Sequence, residues 1–104
     1  MNKNKMSWEE IHELDSLDGV KLTEEQELYM NIVSLLFQID KSAIHIFLLG
    51  FCESDADKTI DIINKTSSSI SKIAEFLEKR ISKNDANKAL SFLHAEYTMK
   101  NLYK

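Results

Sequence analysis

Lys58, Lys65, Lys72 and Lys79 recur every seven residues, which is two turns of a helix. On one continuous helix they would form a row of cations able to follow a phosphate backbone. Arg80 is the sole arginine, so bidentate reading of a base edge has a single candidate. The row reads first as a solvated outer face, and nucleic acid is disfavoured as a partner. Carboxylates collect at the other end of the chain. Glu9 and Glu13 follow Trp8, and Glu24, Glu25 and Glu27 crowd a second short stretch. Carboxylates one turn apart could share acid–base work, but the first turn of a helix favours them on electrostatic grounds alone. Trp8, Tyr97 and Tyr103 are of the types enriched at binding hot spots. The candidate partner-binding set is therefore Trp8, Glu9, Glu13, Glu24, Glu25, Glu27, Tyr97 and Tyr103, facing a protein with a basic surface.

Other chemistry is poorly supplied. His12, His45, His94 and Cys52 make neither a C-x-x-C nor an H-x-x-x-H pair, and no metal or cofactor is expected. His94-Ala95-Glu96 matches the H-x-E of zinc deaminases, but a chain without proline cannot supply the accompanying P-C-x-x-C. Gly19 and Gly50 stand alone, so no glycine-rich phosphate loop exists. No serine sits in a nucleophile elbow. The expectation is a protein that is not an enzyme. Cys52 follows an apolar run and reads as a small buried hydrophobe, and a lone cysteine forbids an intrachain disulfide.

The elements that must position these residues are helices. With no proline and two glycines, the 104-residue chain lacks the punctuation of a turn-rich β fold. The expected fold is all-α, one domain over 1–104, a small antiparallel helical bundle of four to five helices with 1–6 disordered. Ser7 and Glu10 have capping-box spacing ahead of Trp8, Ile11 and Leu14, and Gly19 closes the segment. Thr23 and Gln26 form a second box before the stripe Leu28, Ile32, Leu35 and Ile39. A bend is expected near Asp40, then a helix over 43–51 that is apolar nearly all round and belongs at the centre of the fold or under a partner. Past a cap at Ser54 and Asp57, the series Ile60, Ile63, Ser67, Ile70, Ala74, Leu77, Ile81 steps three and four without a miss. That heptad phase, shared by the lysines, predicts one long helix over 55–82 running through the hydroxyl run 66–69. A last helix from Asn84 carries Ala86, Leu90, Leu93 and Tyr97, widened by Ala89 and Phe92.

Charge is uneven: residues 1–57 sum to −8 and residues 58–104 to +4. The apolar run 43–52 is half the length of a membrane span, and the N-terminal stretch turns acidic where a signal peptide would turn apolar. The expected location is cytoplasmic, with no membrane partner. The preference for lysine over arginine, with abundant isoleucine and asparagine, suits a low-GC bacterium or one of its phages. The expected function is a non-catalytic, acidic, helical protein-binding module that inhibits or regulates a partner, in the manner of a phage-encoded inhibitor, antitoxin or immunity-type protein. The alternatives are a structural homodimer or assembly adaptor with an apolar helix–helix interface, and nucleic-acid binding through the lysine stripe.

Overall fold

The computed structural model describes residues 7–13, 21–52, 55–65 and 69–102. Expectations that fall on 1–6, Leu14, Gly19, Ser54, 66–68 and Tyr103 lie outside these. The described residues form six helices: α1 Trp8–Glu13, α2 Glu24–Leu36, α3 Lys41–Phe51, α4 Ala56–Lys65, α5 Ile70–Arg80 and α6 Lys83–Leu102. The protein is an all-α small helical bundle.

Local chemistry sets the helix starts. Both predicted capping boxes form. Glu10 N–H donates to Ser7 Oγ at 3.1 Å and Ser7 N–H to Glu10 Oε1 at 3.2 Å. Gln26 N–H donates to Thr23 Oγ1 at 3.0 Å and Thr23 N–H to Gln26 Oε1 at 3.1 Å. Each box satisfies backbone donors that a helix N-terminus leaves without an internal partner. At α4 the cap is Asp55, whose Oδ1 accepts from Lys58 N–H at 3.0 Å. At α6 it is Ser82, whose Oγ accepts from Asp85 N–H at 3.1 Å, so this helix starts ahead of the expected Asn84. The bend near Asp40 is present, between the end of α2 and the start of α3.

The predicted single helix over 55–82 does not form. Ser69 has φ −117° and ψ 85°, outside the helical region, and α4 and α5 go to different partners. α4 packs on α3, whereas α5 packs on α1 and α2. The seam that looks continuous in sequence is thus two seams: Ile60 and Ile63 bury against one neighbour, Ile73, Ala74 and Leu77 against others. A serine hydroxyl competes for backbone hydrogen bonds, which suits Ser69 to its non-helical position ahead of α5. Ile70, expected on the seam, is the first residue of α5 and is exposed.

The core centres on α2, which buries Tyr29, Ile32, Val33 and Leu36. Ala86 and Ala89 are fully buried on α6 and let its backbone approach α2 closely, with Leu93 filling the space beyond. Phe47, Phe51 and Phe92 continue the core as an aromatic series, with ring centroids 5.6 and 6.0 Å apart.

Helix directions depart from the expected antiparallel order. Tyr29 Oη–H donates to the Ile81 carbonyl at 2.9 Å, and Lys100 Nζ donates to the Gln38 carbonyl at 2.8 Å. Residues 81 and 100 are about 28 Å apart at helical rise. Both bonds can close only if α2 and α6 run in the same direction. α3 runs against α6, with Phe51 by Phe92 and Ala43 by Met99. α3 also runs against α4, with His45 by Asp57 and Lys41 by Asn64. The bundle is mixed, not wholly antiparallel.

Candidate functional site

Two surfaces combine several of the candidate residues or expose apolar ones. The first is the outer face of α3. This helix turns Ala43, Phe47 and Leu48 into the core and leaves Ile46 and Leu49 57% and 65% exposed. A helix apolar nearly all round has no polar side to give to water, so whichever face is left over is apolar too. Gly50 completes that face, and a side chain there would meet nothing within 4 Å. Alongside lies a cleft of about 630 Å³ between α3 and α4, lined by Lys41, His45, Ile46, Asp57, Ile60 and Asp61. His45 Nδ1 is 3.5 Å from Asp57 Oδ1 across its mouth. At the far end Lys100 covers the turn into α3, capping the Gln38 carbonyl and lying 3.9 Å from Asp40 Oδ1.

The second surface is acidic. α1 lies on α5, and Trp8 Nε1–H donates to Glu78 Oε2 between them. Around this contact a cleft of about 440 Å³ is lined by Trp8, Glu9, Gln26, Glu75, Glu78 and Lys79. Glu9 belongs to the candidate partner-binding set, and Glu75 and Glu78 do not. They lie in the base-rich half, and their only signal was their spacing of three. Glu24 and Glu27 are exposed and Glu25 half-exposed, one helical turn at the start of α2. Glu13 ends α1, and its side chain lies outside the described set.

The two aromatic candidates among the described residues are packing residues. Trp8 is buried and joins α1 to α5, and Tyr97 is half-buried against the core from α6. Neither is a free anchor. The lysine row is also not one row, because Lys58 and Lys65 belong to α4 and Lys72 and Lys79 to α5, with non-helical Ser69 between. Two of the four have acidic partners one turn back, Lys65 with Asp61 at 2.9 Å and Lys79 with Glu75 at 3.3 Å. The geometry that would follow a nucleic-acid backbone over four turns is absent.

Buried titratable groups are held neutral. Burial pushes the Tyr29 phenol up to about 12, with the charges of Glu25 and Glu78 adding to it. Burial pushes the Cys52 thiol up to about 11, partly offset by Arg80. A thiol so placed is protonated at neutral pH and is a poor nucleophile. Among the described residues, no group of three or more His, Cys, Asp or Glu is placed to hold a metal ion. No helix among them is long and apolar enough to cross a membrane. Comparison with protein-family models, with curated proteins and with solved structures finds no match to this chain.

Proposed function

We propose that the protein is a small non-catalytic binding module that regulates a partner protein, and that the outer face of α3 is its docking surface. The observation that carries this reading is the solvent exposure of Ile46 and Leu49 one turn apart on the most apolar helix of the bundle. Adjacent exposed apolar side chains on a rigid helix are what a partner helix or groove takes as anchors. The test is capture from a low-GC bacterial lysate treated with nuclease, comparing the native chain with Ile46→Lys/Leu49→Lys. A partner recovered near stoichiometry by the native chain and lost by the double variant is the expected result. Equal recovery by both chains would refute the docking surface.

A second reading has its own support. Glu9, Glu75 and Glu78 come from two helices far apart in sequence and surround one cleft, which suits a basic partner surface. Glu9→Lys/Glu75→Lys should then abolish capture where the α3 variant does not. A second copy of this chain is the competing occupant of the α3 face, as in the homodimer alternative. Sedimentation at micromolar concentration decides it, since a monomer mass removes that occupant.

A further inference from the structure

We infer that the outer face of α3 takes a second copy of this chain, packed α3 against α3 in opposite directions about a two-fold axis at Ile46, so that a partner and a second copy compete for it. The exposed stripe of α3 is Ser42, Ile46, Leu49 and Gly50, and it carries no ionisable side chain. Ser42, Ile46 and Leu49 step four and three, the spacing of a seam that meets another helix. The two ends of the stripe differ. Leu49, toward the C-terminal end, projects with most of its side chain exposed. Beside the N-terminal half lies the cleft of about 630 Å³, whose lining from α3 is Lys41, Ser42, His45 and Ile46. A projection at one end and a hollow at the other match a second copy when its helix is reversed.

A two-fold axis at Ile46 makes that reversal and keeps both α4 helices on one flank of the pair. Ile46 then meets its own equivalent, Gly50 of each copy lies over Ser42 of the other, and Leu49 of each enters the other's cleft. Gly50 and Ser42 are the small residues of the stripe, and the space a side chain would take at Gly50 is open, so the two backbones can approach closely. Charge has the same polarity. Lys41 is exposed at the start of α3, while α4, running against α3, brings the exposed Asp55 and Asp57 toward the other end. Asp57 lines the cleft and its neighbour Lys58 does not. Reversal therefore sets Lys41 of each copy toward Asp55 and Asp57 of the other, whereas a parallel pair would set Lys41 against Lys41. Asp40, the acid beside Lys41, already has Lys100 at 3.9 Å. The competition with a partner rests on the α3 reading above; the pairing itself does not.

Sedimentation velocity of the full chain, from low to high micromolar concentration and without any partner, tests the pairing. The native chain is expected to pass from monomer to dimer mass across that range. Leu49→Lys, with circular dichroism matching the native chain, should weaken the dimer at least about thirtyfold. Cysteine cross-linking reads the direction, with buried Cys52 staying out of the reaction. Chains carrying Ser42→Cys and Gly50→Cys should form a mixed disulfide under mild oxidation, and neither should link to itself. Monomer mass throughout, a dimer unchanged by Leu49→Lys, or each cysteine variant linking to itself would overturn the inference. A monomeric chain whose partner is lost by Ile46→Lys/Leu49→Lys keeps the docking surface and loses the pairing. A native dimer whose double variant captures the partner equally well keeps the pairing and loses the docking surface.

Discussion

Replacing Tyr29 by phenylalanine separates a buried hydrogen bond from the volume that carries it. Tyr29 is 1% exposed, and its hydroxyl serves the Ile81 carbonyl, which stands where α5 has ended and α6 has not begun. The ring keeps its packing in Tyr29→Phe, but that carbonyl loses the hydroxyl. Leaving a buried acceptor without its partner costs about 1–2 kcal/mol, so the thermal midpoint at neutral pH should fall by about 6–12 °C. The pH dependence then tests the assignment. The folded-state pKa of Tyr29 is raised to about 12 from the ordinary value of 10.0, so the neutral phenol favours folding. Its contribution is complete below pH 10 and is lost as pH rises from about 10 through about 12, to a total of roughly 2–3 kcal/mol. Other tyrosines and the lysines titrate in the same window, but they are common to both chains and cancel in the difference. Urea unfolding followed by circular dichroism should show the native chain ahead at pH 7, with its advantage vanishing near pH 11 to 12. A wild-type advantage that stays constant from pH 8 to pH 11.5 would refute the argument that Tyr29 is held neutral by burial beside Glu25 and Glu78.

Two further outcomes follow from the packing. Ala89 is fully buried on α6, the helix with the most extensive contact to α2, so Ala89→Leu should overpack that contact and cost about 1–3 kcal/mol in denaturant titrations; an unchanged midpoint would mean the helices are not in close approach. Cys52, buried and pushed up to about 11, should resist a thiol reagent in the native state and react at the unfolding rate; immediate stoichiometric labelling would place it on the surface.

Much of the local structure is legible in the sequence because it is made by local chemistry. Ser7 with Glu10 and Thr23 with Gln26 announce their helices, and the stripe from Leu28 to Ile39 faces the core as its spacing requires. What periodicity could not convey is which neighbour each stripe meets. Ile60, Ile63, Ala74 and Leu77 keep one phase, so they read as one helix, yet the first two serve α3 and the last two serve other helices. The parallel run of α2 and α6 has no local signature, since it is decided by contacts between residues 52 and 62 positions apart. The apolar helix over 43–51 allowed either burial or a partner, and Ile46 and Leu49 went to solvent because α4 and α6 already flank the other sides. The acidic cleft was half visible: Glu9 and Trp8 drew notice by type, whereas Glu75 and Glu78 join them only once α1 folds onto α5.

The pairing of α2 with α6 sets an order of events during synthesis. Forty-six residues, 37–82, separate the two helices, and all of them must leave the ribosome before α6 can begin to form. At elongation rates of about 5–20 residues per second, the apolar side of α2 waits several seconds for its main covering. Among the described helices, α5, itself made late, is the other one with extensive contact to α2. Until α6 is made, the apolar side of α2 lacks the most extensive helix contact it has in the folded protein.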